Sequence, residues 1–287
     1  MEFKWEIWGL KEKNMIPKVI HYCWFGKGKY SDKIEKCILS WKKYCPGYKI
    51  ICWNEDNYDV HKNKFVEQAY EKKKWAFVSD YARVDIVYHY GGIYLDTDVE
   101  LIKSLDDILN CEMYAGMESK DFLALGLGFG AVKGHPYLKE IMEYYETREF
   151  IQSNGKMDLK ACPVIQTEIL MRHGLKKEDK YQKLEKCIVY PSEVFSPKSF
   201  QTGETNITSN TVSIHHFDMS WLNEKQKKNK EKEWELKKRY GSKWGKFFSM
   251  IRTGPYKLIE KMRNEGFRGT CLYLKMIGKN ILGKTNK

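Results

Sequence analysis

Asp96-Thr97-Asp98 follows the apolar run Ile93-Tyr94-Leu95 without a break. Side chains alternate along an extended segment, so the two carboxylates share one side and Thr97 takes the other. Two hard oxygen donors converging in this way suit a divalent cation, with positions left for water and phosphate oxygens. A bare Asp-x-Asp is ordinarily a solvated turn, but the apolar residues before it, and Val99 and Leu101 after it, hold this one near a core. The spacing is not that of an EF-hand, because Leu101 and Asp107 stand where that loop needs glycine and glutamate.

Two further groups have types and spacing that could do chemistry. Asp80 and Arg83 lie three apart, on one face of a helix. As a surface pair they would contribute under about 1 kcal/mol. In a site, Asp80 could accept hydrogen bonds from sugar hydroxyls, and the Arg83 fork could hold a hydroxyl, a phosphate or a carboxylate. Downstream, His215-His216-x-x-x-Ser220-Trp221 closes another strand. Neighbours on a strand point oppositely, so only one of the two histidines can face a given site.

These groups need elements to position them. Pro17–Phe25 is a β-branched and aromatic run ended by Gly26, which predicts a first strand. Ser31 then caps a helix to residue 44, and Tyr48–Trp53 predicts a second strand; this β-α-β opening implies a parallel sheet. Residues 62–90 predict two helices closed by Gly91-Gly92, leading into the strand that carries the acids. Helices are expected over 136–149 and 163–173, a glycine-rich stretch, LGLGFGAVKG, precedes the first of them, and TVSIHHF predicts a last strand. The alternation implies one α/β domain over 15–221. An open α/β sheet binds ligands beyond the carboxyl ends of its strands, which is where Asp96 and Asp98 fall.

The chain has 287 residues and a formal charge of +12. That excess suggests nucleic acid until it is divided by segment. Residues 222–287 hold 19 Lys+Arg against 6 Asp+Glu, whereas 1–221 are close to neutral at −1. No stretch approaches 18 uninterrupted apolar residues, so no transmembrane helix is expected. MEFKWEIWGLKEKN has no apolar core of a secretory signal, and Met15-Ile16-Pro17-Lys18 reads as a natural beginning with 1–14 as an extension. The eight cysteines form no Cys-x-x-Cys pair, which implies reduced thiols in a cytosolic protein. Gly126-x-Gly128-x-x-Ala131 imitates a dinucleotide fingerprint, but Gly134-His135-Pro136 stands where its helix should start.

Taken together, IPKVIHYCWFG (16–26), SWKKYCPGYKIICWNE (40–55), WAFVSDYARVDIVYHYGGIYLDTDVE (75–100), GFGAVKGHP (128–136) and SIHHFDMSW (213–221) resemble the DXD-containing sugar transferases of glycosyltransferase family 32. The resemblance covers roughly 15–221 and implies a GT-A fold, a nucleotide-sugar donor and a Mn²⁺ or Mg²⁺ ion. It further implies transfer with retention of anomeric configuration. The donor would be a UDP-sugar or GDP-mannose, and the acceptor a glycan, lipid-linked and part of a capsular or surface polysaccharide. Residue by residue, the donor-site pattern of the related glucosylating toxins falls on Trp24 (base or ribose), Asp80 and Arg83 (sugar), and Tyr94. It continues to Asp96 (ribose and metal), Asp98 (metal), and Ser220 with Trp221 (a loop closing over the diphosphate). The third metal ligand lies among His215, His216 and Asp218, with His216 favoured by analogy.

The basic segment 222–287 repeats apolar residues at helical spacing: Trp244, Phe247, Phe248 and Ile251, then Leu272, Tyr273, Met276 and Ile277, with lysines and arginines around them. A basic amphipathic tail of this kind suits an anionic membrane surface, and so a peripheral enzyme at the cytoplasmic face. Docking of these faces on the catalytic domain is the alternative. Nucleic acid is not an expected partner. The other reading of the whole chain is a non-catalytic membrane or nucleic-acid adaptor on a degenerate transferase fold, against which the set Asp80, Arg83, Asp96 and Asp98 argues.

Overall fold

The computed structural model describes residues 15–220, 222–241 and 248–249. Their contacts divide into two units, one of residues up to 199 with 205–221, the other of 200–204 with residues from 222 onward. Residues 200–204, expected within the catalytic domain, therefore belong with the tail.

The first unit is α/β. Strands β1 (Val19–Cys23), β2 (Lys49–Trp53) and β3 (Gly92–Tyr94) run parallel, with Ile20 opposite both Ile50 and Ile93. Helix α1 (Asp32–Tyr44) makes the first crossover. Ser31 caps it by accepting from the Ile34 amide, and Ile34, Cys37 and Trp41 form its buried stripe. Helices α2 (Lys64–Glu71) and α3 (Trp75–Tyr90) make the second. Beyond β3 lie β4 (Val99–Leu101), β5 (Met113–Ser119), β6 (Phe122–Leu123) and β7 (Phe129–Ala131). Helices α4 (Pro136–Glu146) and α5 (Cys162–Met171) follow. Then come β8 (Gln182–Lys183), β9 (Ile188–Tyr190), the short helix α6 (Ser192–Phe195) and β10 (Ser213–His215).

The main sheet has the order β2-β1-β3-β7-β5-β9-β8, with β6 on β5; β4 and β10 form a separate antiparallel pair. The sheet is mixed rather than wholly parallel. The connection from β5 through β6 to β7 is too short for a helical crossover, so β7 must run back. Because β7 opposes both β3 and β5, those two strands are parallel, and their carboxyl ends share one edge.

The turn from α3 into β3 aims the acidic motif. Gly91 and Gly92 adopt φ of 68° and 104°, and a Cβ on Gly92 would lie 2.7 Å from the Val19 carbonyl. Only glycine fits there. The buried His21 ring pins the turn, with Nε2 donating to the Gly91 carbonyl at 2.9 Å while Nδ1 accepts from Trp53 Nε1 at 3.1 Å.

In the second unit residues 224–241 are helical. Trp234 donates to the Phe200 carbonyl at 2.9 Å and covers Gly203 so closely that a Cβ there would meet its ring at 2.6 Å. No helix among the described residues is long and apolar enough to cross a membrane. The extension 1–14 and the apolar positions predicted over 244–247 and 251–281 lie outside the described residues.

Candidate functional site

Asp96 leaves β3 at the shared carboxyl edge, and Asp98 precedes β4. Trp41 Nε1 donates to the Val99 carbonyl at 2.7 Å and the Leu101 amide to Ser40 Oγ at 2.9 Å, so α1 holds the segment that carries both acids. Pairing of β4 with β10 puts Val99 opposite His215. That register brings one donor atom each of Asp96, Asp98 and His215 within 4.8 Å of one another.

His216, favoured as the third ligand, is not in this cluster. It points to the other face of β10, where Nε2 meets Glu100 Oε2 at 2.8 Å. The period of two decides between the histidines once β4 is known to be the partner strand. Asp218 attaches through its backbone, the amide donating to Asp98 Oδ2 at 2.7 Å while its carboxylate pairs with Lys33. The residues on either side, Phe217 and Met219, are buried and take left-handed φ of 55° and 51°.

Arg83 is the second centre. Its Nη2 lies 3.1 Å from Asp96 Oδ1 and 3.2 Å from Asp80 Oδ1, so the helix pair and the acidic motif form one buried network. Tyr94 donates to Asp96 Oδ1 at 2.9 Å, and the guanidinium sits 5.2 Å from its ring centroid. The pair on α3 is therefore not a surface ion pair. Its members are charges taken out of water, which a protein tolerates when each has partners.

Two residues complete the walls. Cys162, the first of α5, places Sγ 3.8 Å from Arg83 Nη1. Gly126 presents bare backbone to the acids, and a Cβ there would lie 2.5 Å from Asp96 Oδ2 and 3.0 Å from Arg83 Nη1. The glycine-rich stretch advertises a close approach; nothing local to Cys162 marks it.

Trp24 stands at the end of β1 on the same edge, half-buried, its Nε1 donating to the Gly28 carbonyl at 2.7 Å. Its ring packs edge-on against Tyr30, with 4.8 Å between centroids. Ser220 is exposed, and Trp221 lies outside the described residues.

The electrostatics separate the two aspartates. Burial raises the Asp98 carboxyl, but the His215 charge and hydrogen bond, the Asp218 amide and Lys33 more than offset it, leaving Asp98 well below the usual carboxylate range. Burial also raises Asp96, and the neighbouring Asp98 charge adds to it, while Arg83 opposes both. Asp80 is raised by burial against the same arginine. Burial disfavours charge on Arg83 and on His215, yet the surrounding carboxylates outweigh it and raise both.

The donor set fits a hard or borderline divalent cation. It offers two carboxylates held close together and an imidazole whose Nδ1 is buried without a hydrogen-bond partner among the described residues. A cation there would relieve the repulsion between the acids.

Residues 31–114 match the family described as glycosyltransferase sugar-binding region containing DXD motif. Inositol phosphoceramide mannosyltransferase 3 of Schizosaccharomyces pombe is 28% identical over 139 residues, 44% of this chain and 36% of that protein. Human alpha-1,4-N-acetylglucosaminyltransferase is 33% identical over 139 residues, 48% and 36% of the two chains. The chain thus spans about a third of the length of these curated relatives. A solved glycosyltransferase involved in glycosylation of the major capsid of PBCV-1 superposes with a TM-score of 0.42 at 12% identity, covering 75% of this chain and all of that one.

Proposed function

From the premise that residues 31–114 place this chain among the DXD-containing glycosyltransferases, we propose that it transfers a hexose from a nucleotide-diphosphate sugar to a glycan acceptor, with retention of configuration. The observation that carries this reading is the convergence of Asp96, Asp98 and His215 at the carboxyl edge of the sheet, beside the Asp80–Arg83 pair.

Asp96, Asp98 and His215 would hold Mn²⁺ or Mg²⁺, which when bound supplies positive charge against the departing diphosphate. Asp80 and Arg83 are buried, paired with each other and joined to Asp96, so they suit the hydroxyls of the donor sugar. Trp24, at the end of β1, suits the base. The acceptor oxygen forms its bond to the anomeric carbon on the face from which the diphosphate leaves, as the carbon–phosphate oxygen bond breaks. The acceptor's proton passes to the departing phosphate oxygen, so the protein needs no nucleophile of its own. Prearranged charges then supply most of the rate.

A lipid-linked acceptor fits both a relative named for mannosylating inositol phosphoceramide and the charge of +13 over 222–287. We place the enzyme on the cytoplasmic face of a membrane, building a capsular or surface polysaccharide.

The test is a screen of UDP-sugars and GDP-mannose for Mn²⁺-dependent hydrolysis and for a rise in melting temperature, which a ligand of the folded state produces by mass action. At least one nucleotide sugar gives both, and Asp98→Asn removes both. Near-normal turnover in that variant would sink the site assignment. A chain deaf to every nucleotide sugar would favour the non-catalytic adaptor.

A further inference from the structure

One acid on the same edge has no part in the chemistry described so far. Glu118 lies near the end of β5, half-buried, and no described residue gives its carboxylate a hydrogen bond or an ion pair. A carboxylate can only accept, so this half-buried one is open to a donor brought by a ligand.

The sheet register gives its position. Ile93 lies level with Gly130, and Gly130 with Tyr114. Asp96 is three residues beyond Ile93 and Glu118 four beyond Tyr114, on parallel strands, so their heights differ by one residue, about 3.3 Å. Strands lie about 4.8 Å apart, and β7 intervenes, so Glu118 is displaced from the acidic motif by about 10 Å along the edge.

Its orientation is irregular for a cause. The pairing of β5 with β6 runs from Met117–Leu123 to Ser119–Phe122, leaving Glu118 as the extra residue of a bulge. Bulges re-aim a side chain and recur beside active sites. The charge that acts on Glu118 is His215, the imidazole of the cluster, whereas the charges acting on Asp80 are Arg83 and Asp96. Gly116, two residues earlier on β5, faces α6, where an added Cβ would meet the Phe195 ring at 2.7 Å, whereas Asp80 and Arg83 come from α3. Burial raises its carboxyl, and His215 only partly opposes this.

We infer that Glu118 binds the acceptor, accepting a hydrogen bond from the sugar hydroxyl that attacks or from its neighbour. In order along the edge, the end of β1 takes the base, β3 the diphosphate and metal, the Gly126 turn the donor sugar, and β5 the incoming sugar. The inference rests on the transferase reading and deepens it, since it separates acceptor recognition from donor recognition.

The experiment compares the full chain with Glu118→Gln and Glu118→Ala. Each is given UDP-glucose, UDP-N-acetylglucosamine or GDP-mannose with Mn²⁺, alone and with the methyl glycosides of glucose, galactose and mannose. Two products are counted, free sugar from hydrolysis and the disaccharide glycoside. In both variants the disaccharide falls at least tenfold, while hydrolysis and the melting-temperature rise given by the donor stay within twofold of the parent chain. Equal loss of both reactions overturns the inference by putting Glu118 on the donor side. Retention of both overturns it, as does a parent chain that hydrolyses donor but leaves every glycoside unmodified. A parent chain that responds to no nucleotide sugar refutes the transferase reading itself.

Discussion

Each acid in the cluster is set by what surrounds it. Asp98 is held ionised by His215 and the Asp218 amide, whereas Asp96 shares Oδ1 between Arg83 and Tyr94 and turns Oδ2 toward Gly126. The glycine is therefore a steric requirement. Gly126 does not have a left-handed φ, so alanine meets no backbone penalty there and the added methyl acts only by crowding Asp96 and Arg83. Overpacking costs about 1–3 kcal/mol. Gly126→Ala is expected to fold, to lose that much in urea unfolding, and to lose donor hydrolysis tenfold or more because Asp96 is displaced. Unchanged kinetics would show that the close approach has no catalytic role. Asp96, Asp98, Asp80 and Arg83 are legible in the sequence because spacings of two and three encode shared faces directly. The choice of His215 over His216 is not, since it depends on pairing with β4, more than a hundred residues earlier.

At the scale of elements, the turn between α3 and β3 depends on one neutral imidazole. Protonating His21 would place a second N–H against the Trp53 indole, and burial lowers its pKa from the ordinary 6.5. The neutral form is the folded one. The unfolded chain therefore takes up the proton first, and the stability His21 contributes is full above pH 6.5 and lost as pH falls below it. The melting temperature of the parent chain is expected to drop more between pH 7.5 and 5.5 than that of His21→Gln, which keeps a donor and an acceptor but does not titrate. Parallel slopes would remove His21 from the account. The helices and the first strands are legible from caps and periodicity, with ends shifted by one to three residues. Strand β5 is not, because Met113-Tyr114-Ala115-Gly116-Met117 has little β-branched character and forms a strand through burial between β7 and β9.

For the whole molecule, charge and chemistry occupy different parts of the chain. The cluster lies in the near-neutral unit, and the net charge of +13 lies in residues 222–287. If those residues bind an anionic surface, each basic side chain near it contributes about 1 kcal/mol. Full-length chain is expected to sediment with phosphatidylserine vesicles at low salt, and a chain ending at residue 221 to stay in solution. Equal behaviour of the two would remove membrane contact. Helical character over 224–241 and the division of charge are legible from composition. The docking of 200–204 against Trp234 is not, because a glycine-containing turn carries no mark of the ring that will cover it.

Phe217 and Met219 are left-handed residues without the excuse of glycine, and each such conformation costs roughly 1–3 kcal/mol. Between them the chain is fastened at Asp218, by Asp98 on one side and Lys33 on the other. Asp98 is thus a clasp as well as a charge: unfastened, the strap beyond His216 can unwind toward its relaxed hand. Deleting that carboxylate would remove two things at once, and asparagine, which still offers an oxygen to the strap, separates the loss of charge from the loss of the clasp.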